Sequence, residues 1–209
     1  MKISSNFTKS EQRLLSRLNT PQKIQDYLNS LPTNFEEKEE TCLSPREVIK
    51  QKTAHCAEGA VFAAVALWYH GHRPLLLDLK TTPNDDEHVV ALYKKDGYWG
   101  AISKTNHAVL RYREPIYSSV RELVLSYFHE YFKDNGHKTL RSYSKPFDLS
   151  KIKGHSWLTT QDGLWDIMTA LDKSPHYLIL NKSQIKNLRK ADKIEIEAGK
   201  LIEYKAKKN

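Results

Sequence analysis

The sequence predicts an α+β protein in which a buried helix packs on an antiparallel sheet and further helices form the N-terminal part. Residues 57–70 are apolar on nearly every face, which is typical of a buried helix. Residues 88–94 and 98–103 have strand patterns, and the Asp96-Gly97 dipeptide between them favours a tight type I′ hairpin turn. Capping signals at Thr20-Pro21 and Ser44-Pro45 predict helices before residue 50.

The other elements follow from local patterns in chain order. Leu14, Leu15 and Leu18 form the apolar stripe of a first helix, and Glu47 completes a predicted capping box with Ser44. Further predictions are a strand at 75–79, a helix at 120–132 capped by Ser118, a helix at 157–171, a strand at 177–180 and a hairpin at 194–204.

The 209 residues suffice for one domain with a substantial core, or for one domain with an appendage. Residues 1–150 are predicted to form the main domain, including the N-terminal helices. Residues 151–209 are predicted to be a C-terminal extension packed on the same domain.

The composition narrows the range of partners. The formal net charge of +8 arises largely from a C-terminal region in which lysines and arginines alternate with acidic residues. This pattern, without a nucleic-acid-binding motif, favours a solvated basic surface and makes nucleic acid the less favoured partner.

No apolar run approaches the roughly 18 residues of a membrane helix, and the N-terminus lacks the apolar region of a secretory signal. Two cysteines are too few for a disulfide framework. We therefore expect a cytoplasmic protein with no membrane partner.

The segment Thr53-Ala54-His55-Cys56-Ala57-Glu58 places Cys56 at the first turn of the predicted buried helix. Unpaired N–H groups and the positive end of the helix dipole favour the thiolate there, and the thiolate is the nucleophilic form. His88 follows at the start of a strand. A cysteine and a histidine in these positions indicate covalent acyl chemistry.

The hairpin register makes position 103 a candidate for orienting the histidine. With a two-residue loop at Asp96-Gly97, Lys95 faces Tyr98, and counting outward pairs Val90 with Ser103. Side chains alternate between the faces of a strand, so His88 and Ser103 are expected on the same face, in a diagonal relation.

A longer pattern surrounds these residues. The Cys56 helix is followed by Gly71-His72-Arg73-Pro74 and a Leu-rich strand, then by His88-Val89-Val90-Ala91-Leu92-Tyr93, a glycine turn and Tyr98-Trp99-Gly100-Ala101-Ile102. Over residues 44–103 this order resembles the core of the transglutaminase-like superfamily, within the papain-like cysteine hydrolases. The resemblance implies a helix carrying the nucleophile on an antiparallel sheet, with Cys56 as nucleophile and His88 as base.

The chain departs from that family at the third position, where Ser103 stands in place of the usual acidic residue. Asn106 and Asp78 are alternative orienting groups, and His55 lies where a glycine or aromatic residue is common. The resemblance implies hydrolysis or acyl transfer at an amide or isopeptide bond of a protein or peptide, through a Cys56 thioester. The alternative is a catalytically inactive member of the fold that binds peptides or proteins.

Zinc is a competing use for such residues. Cys42, His55, Cys56, His70 and His72 lie close together in the sequence, but their spacing matches no zinc pattern. No metal or other cofactor is predicted.

Overall fold

The computed structural model describes residues 3–36 and 39–206, which form eight α-helices and seven strands. The helices are α1 (Lys9–Arg17), α2 (Pro21–Ser30), α3 (Pro45–Gln51), α4 (Cys56–Tyr69), α5 (Val120–Phe128), α6 (Trp165–Asp172), α7 (Lys182–Lys186) and α8 (Lys193–Gly199). The strands are β1 (Leu75–Lys80), β2 (His88–Lys95), β3 (Tyr98–Ile102), β4 (Arg113–Tyr117), β5 (Ser142–Ser144), β6 (Phe147–Asp148) and β7 (His176–Leu178). The strands pair antiparallel, and the α+β class with an antiparallel sheet is confirmed.

The sheet has the strand order β4-β3-β2-β1-β5-β7, and β6 also pairs with β1. The β2–β3 hairpin has the register predicted from its turn, beginning with Lys95 opposite Tyr98. Asp96 and Gly97 have φ angles of 51° and 89°, the left-handed conformations that a type I′ turn requires.

Helix α4 is buried along its length from Ala57 to Leu67. It packs on β1 and β2 on one side and on α1, α2 and α3 on the other. The alternating residues of β2 separate the core into two clusters: Ala91 faces α4, whereas Val90 and Leu92 belong to the cluster that includes residues of α5. The two helices therefore cover opposite faces of the sheet.

The segment predicted as a hairpin at 194–204 is different in the structure, because its first part is α8. Glu195 accepts the backbone N–H of Asp192 at 2.6 Å, a capping interaction that starts a helix. The alternating apolar residues suggested a strand, but this local cap and the following helical bonds override that weak pattern. At α3, Ser44 does cap the helix, whereas Glu47 contacts Lys50 and Gln51 instead of completing a capping box.

Residues beyond 150 contribute to the same sheet. Strand β7 pairs with β5, and, outside the sheet, Ile202 forms an isolated antiparallel bridge with His107. The boundary at residue 150 stays a prediction. Within the described ranges, no helix is long and apolar enough to cross a membrane.

Candidate active site

Cys56 is the first residue of α4, and its neighbours hold that end of the helix in place. The Nδ1 atom of the N-cap residue His55 lies 3.2 Å from the backbone nitrogen of Ala57. The carboxylate of Glu58 accepts the N–H of His55 at 2.9 Å. The cap orders the helix N-terminus, whose dipole favours a negative charge on the Cys56 sulfur.

His88 begins β2 as a buried side chain whose Nε2 lies 2.7 Å from Oγ of Ser103. The Ser103 hydroxyl lies 2.5 Å from the carbonyl oxygen of Leu110 and must donate its hydrogen to that oxygen. Ser103 is then the acceptor for His88, so Nε2 carries a proton. Nδ1 is the ring nitrogen left for the Cys56 thiol, as acceptor in the neutral ring or as donor in the imidazolium.

The thiol of Cys56 is strongly acidified despite its burial. Burial by itself raises the pKa, but the neighbouring rings of His55 and His88 lower it from the ordinary value of 9.0 to about 5. The contrast with Cys42 is large, because burial raises the pKa of that thiol to about 12. At neutral pH Cys56 is therefore the nucleophilic thiolate and Cys42 an inert thiol.

Ser103 is positioned by Gln25 of α2. The Gln25 amide donates from Nε2 to the carbonyl of Ser103 at 2.8 Å, and Oε1 accepts the Ser103 N–H at 2.9 Å. Both residues are buried. This contact was not foreseen from the sequence, where the available signal was a polar residue between the apolar positions Ile24 and Leu28 of a helix.

The carbonyl that orients Ser103 belongs to a residue in an unfavourable conformation. Leu110 has a φ angle of +60°, in the left-handed region that bulky side chains avoid. Its N–H donates to Glu130 at 2.7 Å, and Glu130 in turn accepts from Arg113 at 2.6 Å. Conformations of this kind persist only where the surroundings hold them. Bonds on both sides of Leu110 thus aim its carbonyl at Ser103.

Glu58 organises the loop that precedes the cysteine. It is the one charged residue of α4, its side chain is fully buried, and it accepts hydrogen bonds from Thr41 Oγ1 at 2.9 Å and from the Leu43 N–H at 2.8 Å. Burial by itself raises its pKa, but its contacts with His55 and with backbone N–H groups lower it overall. A single carboxylate in an otherwise apolar helix was the sequence signal for this role.

Ser103 is the predicted orienting group that the structure brings to His88. Asn106 instead uses its side chain on the main chain of Tyr204, donating to the carbonyl and accepting the N–H, each at 2.9 Å. Asp78 lies 3.1 Å from Nε2 of His176. These two residues are therefore engaged elsewhere.

A cavity of about 590 Å³ opens at Cys56 and His88. Its walls include the residues just before His88, the segment 104–110, the turn at 130–134 and part of α8. A concave site with few, well-placed polar groups is the usual form of a ligand-binding pocket.

The residues considered for zinc are absent from the cluster of metal-ligating side chains that the described residues contain. Among the described residues, the group of three side chains with metal-ligating atoms close together is Asp78, Glu87 and Asp172. The ammonium group of Lys80 contacts both Glu87 and Asp172 and supplies positive charge there. His70 contacts the carbonyl of Leu15.

No known family model matches the chain, and comparison with curated proteins gives no match either. Function is therefore inferred from the chemistry of Cys56, His88 and Ser103.

Proposed function

We propose that this protein is a cysteine hydrolase or acyltransferase of the transglutaminase-like type, acting on an amide or isopeptide bond. The observation that carries this proposal is the hydrogen-bond chain from the Leu110 carbonyl through Ser103 to His88, beside an acidified Cys56 thiol. A cysteine with a purely structural role needs neither a low pKa nor an imidazole held in one tautomer. An accessible cavity at the same thiol adds room for a substrate.

The reaction begins with attack of the Cys56 thiolate on the substrate carbonyl. The backbone N–H of Cys56 has no partner within the helix and donates to the developing oxyanion. The imidazolium of His88 transfers its Nδ1 proton to the leaving nitrogen as the C–N bond breaks, which leaves a thioester on Cys56. His88 then takes a proton from water or from an acceptor amine, whose attack breaks the C–S bond and restores the thiolate.

Ser103 acts as a positioning residue in this scheme. A hydroxyl carries no charge, so it orients the ring and fixes its tautomer without the stabilisation that a carboxylate gives to an imidazolium. The Leu110 carbonyl partly compensates, because its dipole polarises the hydroxyl towards His88.

The test is the pH dependence of Cys56 alkylation by iodoacetamide, followed by mass spectrometry of the Cys56 peptide. We expect the rate to rise with an inflection near pH 5, since the thiol pKa is about 5. In His88→Ala the inflection moves upward and the rate at pH 6 falls at least about tenfold, because the thiolate fraction falls.

The matched control is His129→Ala, which removes an exposed imidazole outside the site and leaves the profile unchanged. A wild-type inflection near the ordinary thiol value of 9.0 would overturn the proposal.

One observation favours a second function, a peptide-binding protein without turnover: an uncharged serine stands where the family that the chain resembles usually has an acidic residue. Quenched fluorescent peptide libraries with internal amide bonds separate the two functions. Cleavage or amine incorporation that disappears in Cys56→Ala supports the enzyme. Peptide binding that persists in Cys56→Ala, without turnover by the unmodified chain, supports the binding protein.

A further inference from the structure

The segment 193–206, termed the strap, runs beside the candidate active site. It comprises α8 and the extended stretch that follows. Ile196, Gly199 and Lys200 of the strap line the same cavity as Cys56 and His88. The strap therefore occupies space that a substrate next to the thiol would approach.

The extended part of the strap is bound through its main chain. The N–H of Ala108 donates to the carbonyl of Leu201 at 3.0 Å, and the N–H of Glu203 donates to the carbonyl of Asn106 at 2.9 Å. The Asn106 side chain adds two bonds to the main chain of Tyr204. Residues 106–108, termed the binding edge, thus recognise an extended chain by hydrogen bonds that are independent of its side-chain identity.

Besides these hydrogen bonds, the strap buries little apolar surface. Helix α8 contains no buried residue, and Ile194 and Leu201 are 80% and 64% exposed. One side-chain anchor is Tyr204, whose hydroxyl donates to the Asn29 carbonyl at 3.0 Å and whose ring lies 5.4 Å from the Lys104 ammonium. Two exposed contacts add to it: Arg111 donates to the Glu203 carboxylate at 3.2 Å, and Nδ1 of His107 lies 3.1 Å from the Gly199 carbonyl oxygen. A segment held by few apolar contacts unfolds locally at a lower free-energy cost than the core does.

We propose that the binding edge is a docking site for an extended peptide, and that the strap is its built-in occupant, which an incoming peptide displaces. Strand addition to an exposed edge binds peptides through main-chain bonds, and these are the bonds that the strap now makes. The position of the edge beside Cys56 connects this site with the proposed function and would make the bound peptide the acyl donor.

The first experiment asks whether the edge binds a peptide in trans. The probe is a fluorescently labelled synthetic peptide with the sequence of residues 198–206, and the protein is the full chain carrying Cys56→Ala. Tyr204→Ala in this background loosens the strap without altering the edge. We expect the probe to bind this variant at least tenfold more tightly than the parent, and a probe N-methylated at Glu203, which lacks the N–H that reaches the Asn106 carbonyl, to bind at least tenfold more weakly.

The second experiment holds the strap in place. His107 and Ile202 face each other as a non-hydrogen-bonded antiparallel pair, the arrangement with the closest Cα atoms and therefore suited to a disulfide. In the chain with Cys56→Ala, His107→Cys and Ile202→Cys, we expect the oxidised form to bind the probe at least tenfold more weakly than the reduced form. Matching thermal unfolding curves before and after binding measurements confirm that both forms are folded.

Equal binding by the oxidised and reduced forms, or no binding by the Tyr204→Ala variant, would overturn the proposal. Asn106→Leu, added to Tyr204→Ala, provides a further check. It removes the side-chain hydrogen bonds of the binding edge, so the affinity for the probe should fall at least tenfold. None of these chains contains the Cys56 thiol, so their failure refutes the docking site alone. The alkylation profile tests the acyl chemistry separately.

Discussion

Nε2 of His88 donates to Oγ of Ser103 across 2.7 Å, and the hydroxyl hydrogen of Ser103 is directed to the carbonyl of Leu110. This order of donors means that Ser103 is an acceptor towards the imidazole, the same role that a carboxylate would have. It also means that the position is specific for a group that both accepts and donates.

Ser103→Ala removes this group and leaves Nε2 of His88 and the Leu110 carbonyl without a partner. We expect the free energy of unfolding to fall by about 1–3 kcal/mol in urea denaturation, the usual cost of unpaired buried polar groups. The alkylation rate of Cys56 at pH 6 should fall as well. Ser103→Thr, which keeps the hydroxyl, is the control, and wild-type reactivity in Ser103→Ala would refute the positioning role.

Ser103→Asp introduces the residue that is common in the resembling family but has a different expected result here. Its carboxylate would face the Leu110 carbonyl, and two acceptors repel each other where the native hydroxyl donates. We therefore expect Cys56 alkylation at neutral pH to be no faster than in the native chain. A rate gain would show that the loop at Leu110 adapts to the carboxylate.

Gln25→Leu tests the contact that holds Ser103 from α2. The substitution preserves size but leaves the buried N–H and carbonyl of Ser103 unpaired, so we expect a loss of about 1–3 kcal/mol in unfolding free energy. Since Ser103 would lose its anchor, Cys56 reactivity should fall with it. Gln22→Leu, at an exposed position of the same helix, should change stability by no more than about 0.5 kcal/mol. Equal effects of the two substitutions would contradict this prediction.

Glu58→Gln tests the buried carboxylate below the cysteine. Its pKa in the folded protein is below the ordinary value of 4.5, so it stabilises the fold above that pH, and the stabilisation is lost as the pH falls through the folded pKa. At pH 7 we expect the variant to be less stable by about 1–3 kcal/mol, with the difference narrowing in acid. Urea denaturation over a pH series measures this gap. Exposed Glu114→Gln is the control, and a pH-independent gap would be inconsistent with the charge argument.

Gly59→Ala tests the close approach of α4 to the segment after β3. An added Cβ would lie 2.5 Å from Cβ of Lys104, and such overpacking costs about 1–3 kcal/mol. Lys104→Gly removes the atom that the new methyl group would meet. Urea denaturation of the four chains in the cycle should therefore give a smaller cost of Gly59→Ala in the Lys104→Gly background. Additive costs would exclude the steric explanation.

The local pattern of the sequence was sufficient for the elements that carry Cys56 and His88. The all-apolar run predicted a buried helix, and the Asp96-Gly97 turn predicted a register that places His88 and Ser103 on one face. Both depend on short-range rules of helix periodicity and turn geometry. The helix at 193–199 was accessible to the same kind of rule, through its capping residues, but its alternating apolar residues favoured a strand instead.

The choice between Ser103 and Asn106 could not be made from the sequence, because both follow β3 and both have suitable side chains. It depends on the path of the chain beyond the strand, and that path is set by partners far away in sequence. Gln25 hydrogen-bonds Ser103 from 78 residues away in sequence, and the main chain of Tyr204 hydrogen-bonds the Asn106 side chain from 98 residues away.

The sequence by itself thus determined that the cysteine begins a helix, that the histidine begins a strand, and that this histidine shares a face with position 103. Only the tertiary structure decided which group orients the imidazole, how Leu110 is held in its left-handed conformation, and that the strap lies along the cavity. Periodicity and turn chemistry act over a few residues, whereas buried hydrogen bonds such as that of Gln25 with Ser103 form between segments that meet only when the chain has folded.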